Sequence, residues 1–125
     1  MFPFAFLWIS KMDLNAVEQL KKVLSSVTIE KDQIIYEEGE PLGDGYILSL
    51  GKVQLFKNTS DGKLAEKQTI NSMQVFGVWN SILGNNVRLF TAKALEKSSA
   101  LIIPKATMDK KLSTLDPFLR LLFRQ

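Results

Sequence analysis

The stretch QIIYEEGEPLGDGYILSLGKVQLFKN, residues 33–58, decides the fold. It holds short runs of β-branched, aliphatic and aromatic residues interrupted at Gly39 and Gly51, the pattern of strands separated by tight turns. Downstream, KLAEKQTIN (63–71) is set off by the turn Ser60-Asp61-Gly62. FTAKALE (90–96) and SALIIP (99–104) continue the series until Pro104 stops it. Even punctuation of this kind predicts an antiparallel system closing into a barrel or jelly roll.

Upstream, Leu14, Val17, Leu20 and Leu24 recur at helical spacing behind Asp13, a capping residue, which predicts an amphipathic helix from about Asp13 to Ser25. After Pro104 the period is helical again over KATMDKKLSTL (105–115). Asp116 and Pro117 supply an N-cap and first-turn pair for a last helix, FLRLLFRQ (118–125). The expected class is α+β, mainly β: an antiparallel β-roll flanked by an N-terminal helix and short C-terminal helices. The 125 residues read as a single domain, 1–125, with an apolar leading segment at 1–12.

Composition narrows the chemistry. The chain has no cysteine and no histidine, which removes disulfides, thiolate zinc sites, catalytic triads and imidazole-ligated metals. A carboxylate-only metal enzyme would have to use Glu37, Glu38, Glu40 and Asp44, which read instead as an ordinary acidic turn, so no enzymatic activity, catalytic residue or metal is expected. The net charge of +3 is spread without a dense block and is too weak to argue for nucleic acid or membrane binding, so no nucleic acid partner and no membrane insertion are expected. MFPFAFLWIS is too short to span a bilayer and lacks a basic n-region; Phe4, Phe6, Leu7 and Trp8 are expected to pack on the domain or a partner, and the location is expected to be cytoplasmic.

One further stretch, VFGVWNSILGNNVRLFTAKA (75–94), carries a single charge, Arg88, before Lys93. An arginine so placed is either a solvated residue, a partner for a carboxylate such as Glu96, or an anion ligand.

The spacing of Gly39, Pro41, Tyr46, Gly51 and Val53 resembles the cyclic nucleotide-binding domain family, the β-roll sensor of catabolite activators and kinase regulatory subunits. In that family a Phe-Gly-Glu triplet opens a phosphate-binding cassette, a short helix presents backbone N–H groups, and an arginine about a dozen residues later pairs with the cyclic phosphate. Phe76 and Gly77 match the triplet, WNSIL (79–83) stands at the short helix, and Arg88 stands at the arginine's place. A helix N-terminus and a guanidinium both attract an anion.

The resemblance implies a ligand site at Phe76, Gly77, Val78, Trp79, Arg88, Leu89, Phe90 and Thr91. It implies a cyclic nucleotide, cAMP or cGMP, or another phosphorylated small molecule as ligand, with no other cofactor, and a role in signal transduction. Three positions depart from the family. Val78 replaces the Glu that holds the ribose hydroxyl, Leu89 replaces a small or hydroxyl-bearing residue, and Met73 stands where glycine commonly precedes the Phe-Gly pair.

Losing the hydrogen bond to the ribose hydroxyl costs about 1–3 kcal/mol, and Val78→Glu is expected to restore it. Relatives that bind DNA continue into a helix-turn-helix, of which this chain has no counterpart, so DNA reading is not expected of it. Two readings follow: a small sensor that relays occupancy through its terminal helices, or a degenerate fold kept as an interaction or oligomerisation module. In both, the N-terminal aromatic segment and the C-terminal helix are the expected surfaces for a homodimer or protein partner.

Overall fold

The computed structural model describes residues 13–78 and 86–113. Helix α1 (Leu14–Leu20) leads to eight strands: β1 (Ser26–Ile29), β2 (Ile34–Tyr36), β3 (Gly45–Leu50), β4 (Val53–Asn58), β5 (Leu64–Ile70), β6 (Val75–Phe76), β7 (Thr91–Ala94) and β8 (Ser98–Ile103). Helix α2 (Lys105–Ser113) follows. The strands form two four-stranded sheets, ordered β1-β8-β3-β6 and β2-β7-β4-β5. Every pairing is antiparallel. This is the β-roll that the glycine punctuation predicts.

Two strands escape the sequence reading. β1 begins one residue past the expected helix, and β6 is only two residues long, too short to show a period. The first helix is correspondingly shorter than 13–25. Asp13 caps it as expected, its carboxylate accepting from the Ala16 amide at 2.7 Å. Beyond Leu20 the backbone tightens, with Lys22 and Val23 amides donating to carbonyls three residues back. That turn frees Ser26 to enter the sheet, where it pairs with Leu101. The expected helix over 105–115 corresponds to α2, whereas residues 1–12, the 79–83 segment and the last helix lie outside the described residues.

Two apolar clusters lie on opposite faces of the first sheet. The inner one fills the space between the sheets: Ile29, Leu48, Phe76 and Ala100 from the first meet Tyr36, Val53, Leu55, Ile70, Ala92 and Ala94 from the second. The outer one joins that sheet to the helices: Ile47, Val75, Val78 and Leu101 pack with Val17 of α1, and Leu20, Leu24, Met73, Ile103 and Met108 close around them. Alternation along β3 makes the division, since Leu48 points inward while Ile47 points to the helices. Each fully buried Leu, Ile, Val or Phe in these clusters contributes about 1.5–3 kcal/mol.

Candidate functional site

Arg88 is drawn into the roll by the chain on both sides of it. Its amide donates to the Glu40 carbonyl and its own carbonyl accepts from Gly39, both at 2.8 Å, while Pro41 and Val87 form an isolated antiparallel bridge. The segment entering β7 is thus zipped to the acidic turn that follows β2. The residue is only 4% exposed, which removes the reading of Arg88 as a solvated surface residue. Nη1 donates to the Gly77 carbonyl at 2.8 Å and Nη2 to the Asp44 carbonyl at 2.6 Å. The guanidinium carbon lies 4.0 Å from the centre of the Tyr36 ring.

No carboxylate pairs with Arg88 among the described residues, Glu96 included. Two carbonyl dipoles and an aromatic face offset part of the cost of burying the cation, but they do not neutralise it. Two of its five donors are occupied by those carbonyls.

Aromatic rings line the space beneath it. Tyr46 stacks on Phe76 with centroids 5.2 Å apart and on Tyr36 at 6.5 Å. Burial pushes the Tyr36 hydroxyl far above its ordinary range, against the opposing pull of Arg88; Tyr46 is raised for the same reason. Both phenols therefore stay neutral beside the guanidinium. Gly77 has a φ of +80°, and a Cβ there would stand 3.1 Å from Arg88 Nη1; only glycine combines that backbone with so close an approach.

The structure brings together only some of the expected site residues. Phe76, Gly77 and Arg88 meet with Tyr36, Tyr46 and Asp44, three residues that no sequence signal singled out for this role. Val78 is 5% exposed and faces the other way, into the outer cluster, where it occupies the space a Cβ on Gly45 would need. Restoring a glutamate at 78 therefore sets a carboxylate among apolar side chains, and the expected gain of a ribose contact does not follow directly.

Leu89, Phe90 and Thr91 are held along the second sheet. Lys57 Nζ donates to the Leu89 carbonyl at 3.0 Å and lies 5.6 Å from the centre of the Phe90 ring. The same ammonium pairs with Glu38 at 3.1 Å, and Thr91 Oγ1 accepts from the Glu38 amide at 3.0 Å. The Asn58 amide, then Lys57, holds the Glu38 carboxyl below its usual range. Trp79 lies outside the described residues.

Three carboxylates of the acidic turn make structural contacts. Glu40 accepts from the Glu37 amide, Glu38 serves Lys57 and Asn58, and Asp44 reaches the start of α2. Among the described residues no three His, Cys, Asp or Glu side chains group to hold a metal, and no helix is long and apolar enough to cross a membrane. A shallow cavity of about 460 Å³ opens where Lys21, Ser26, Ser49, Leu50, Ser99 and Leu101 meet. Its one cation, Lys21, is already paired with Glu18 at 3.1 Å.

The chain belongs to the cyclic nucleotide-binding domain family, whose profile matches residues 26–114. Among solved structures it is similar to the EAL enzyme Bd1971 in its cAMP-bound form, at 31% identity and a TM-score of 0.73, over 80% of this chain and 27% of that one. It is also similar to the cGMP-bound form, at 31% identity and a TM-score of 0.71, over 80% and 26% of the two chains. The chain thus spans only 27% and 26% of those enzyme chains. A transcriptional regulator from Thermotoga maritima shares the fold at 24% identity and a TM-score of 0.68, over 90% of this chain and 84% of that one. No curated protein sequence matches the chain.

Proposed function

We propose that the chain is a regulatory sensor domain that binds a cyclic nucleotide, or a related phosphorylated ligand, inside the β-roll and passes occupancy to its flanking helices. The observation that carries the reading is Arg88: a buried guanidinium without a carboxylate partner among the described residues, bounded by a left-handed glycine and an aromatic floor. A buried cation held by carbonyl dipoles gains from an anion that supplies full opposite charge. Family membership supports a cyclic phosphate as that anion, and the related enzyme has been captured with both cAMP and cGMP. Lacking a glutamate at 78, the chain forgoes a hydroxyl contact and should bind about ten- to a hundredfold more weakly than a relative that has it.

The interaction-module reading has its own support, since Val78 is committed to the outer cluster and Arg88 already donates to two carbonyls. Calorimetric titration with cAMP, cGMP and inorganic phosphate separates the two. Saturable heat with a cyclic nucleotide, exceeding that with phosphate, is expected of a sensor. A flat titration with all three at millimolar concentration replaces it with the interaction module.

A further inference from the structure

The buried side chains that carry a polar atom, among the described residues, are those of Tyr36, Gln54, Arg88, Thr91 and Ser98. All but one have partners. Gln54 accepts from Thr69 Oγ1 and donates to the Leu55 carbonyl, Arg88 donates to two carbonyls, Thr91 accepts from the Glu38 amide, and Ser98 donates to the Glu96 carbonyl. The exception is Tyr36. Its contacts are made by the ring, to Arg88, Tyr46 and Phe76, and its hydroxyl has no hydrogen-bond partner among the described residues. Buried polar atoms are paired as a rule, and an exception calls for a partner from outside the folded chain.

This orphan lies beside the buried cation. Tyr36 Cε2, next to the ring carbon that bears the hydroxyl, and Arg88 Nη1 converge on Gly77: a Cβ there would stand 3.4 Å from the first and 3.1 Å from the second. The hydroxyl end of the ring is thus at Gly77, whose carbonyl Nη1 holds. Tyr46 adds a second ring to the same wall, but it is only half-buried, so solvent can serve its hydroxyl. Val78, where the family places a carboxylate for the sugar, is turned into the outer cluster and supplies nothing here.

We propose that the Tyr36 hydroxyl donates a hydrogen bond to the oxyanion taken by Arg88, so that the site reads phosphate through a guanidinium–phenol pair and leaves the ribose 2′-hydroxyl unread. This deepens the sensor reading and rests on Arg88 as an anion ligand. A phenol suits the task. Burial keeps it protonated and therefore always a donor, and an O–H bond to a charged oxygen is among the strong ones. Its desolvation is already part of the folded state, so the bond to an anion forms without that cost.

Calorimetric titration of the wild type and Tyr36→Phe with cAMP and 2′-deoxy-cAMP tests the pair. The wild type should bind the two within about twofold of each other, because no carboxylate at 78 holds the hydroxyl that one of them lacks. Tyr36→Phe, which keeps the ring beneath Arg88, should weaken both about tenfold. The two phosphorothioate isomers of cAMP, each with one exocyclic oxygen replaced by sulfur, a poor acceptor, locate the contact. The isomer whose sulfur meets Tyr36 should lose affinity in the wild type and lose less in Tyr36→Phe, where there is no bond left to weaken. A Tyr36→Phe variant that binds both nucleotides as the wild type does, one that loses cAMP alone, or isomer penalties equal in the two proteins overturns the contact and spares the sensor reading. A wild type that binds neither nucleotide removes the sensor reading, and the contact falls with it.

Discussion

Gly77 and Val78 are neighbours in the chain and belong to different halves of the molecule. The carbonyl of Gly77 faces the inside of the roll and holds Arg88, whereas the side chain of Val78 faces out towards the helices and packs with Ile47, Leu101 and Val17. Strict strand alternation would do otherwise. With Val75 outward and Phe76 inward, residue 78 belongs inside beside Phe76. The positive φ of Gly77 breaks the alternation and turns Val78 outward. One residue in a left-handed conformation thus separates a polar interior site from an apolar outer core.

The comparison breaks most readily at Val78. Val78→Glu places a carboxylate against Gly45 among the apolar side chains of the outer cluster, a burial expected to cost about 3–5 kcal/mol. Denaturant unfolding measures this; a variant as stable as the wild type would mean that residue 78 turns inward with ease and that the two sides are not separate.

Arg88→Ala is the matching change on the inner side. It removes two charge-assisted hydrogen bonds and a ring contact, and relieves the burial of a cation, for a net loss of about 2 kcal/mol, seen as a fall in Tm of about 5–10 °C. Loss of nucleotide binding alone therefore does not prove direct contact with ligand. A variant of unchanged Tm would show that the carbonyl cage contributes nothing.

Tyr36→Phe is the smallest change. It keeps the ring under Arg88 and removes a hydroxyl whose ionisation the fold resists. Because the folded pKa lies above the unfolded value of about 10, the Tyr36 contribution is fully present below that pH and is lost as pH rises beyond it. Tyr36→Phe should leave stability near neutrality within about 1 kcal/mol and flatten the decline above pH 10 in alkaline unfolding, with Tyr46 retaining part of the slope. An alkaline limb identical to the wild type would place the hydroxyl in water rather than beneath the guanidinium.

Much of this architecture is legible from residue types alone, because turns and caps are local. Gly51 and Gly62 both adopt positive φ between strands that the sequence delimits, and Asp13 caps the first helix it precedes. The position of Arg88 between the Phe-Gly pair and the β7 strand is likewise a matter of spacing. Met73 shows how far local reading carries: glycine is missing there, yet the backbone keeps a φ of +73°. The conformation is set by its neighbours, with the Met73 amide held to the Leu48 carbonyl at 2.6 Å.

The sequence by itself determined six of the eight strands, their antiparallel closure and the presence of one arginine just before β7, since each depends on periodicity or on backbone preferences within a few residues. Only the tertiary structure decided that Arg88 is buried rather than solvated and that Tyr36 lies beneath it. Nor does spacing reveal that Val78 faces the helices or that Asp44 joins Arg88 to α2. These follow from contacts between segments far apart in the chain, 44 residues from Asp44 to Arg88 and 61 from Asp44 to Lys105. Such contacts are fixed by how two sheets and a helix pack, and no local pattern encodes which carbonyl a buried guanidinium will find.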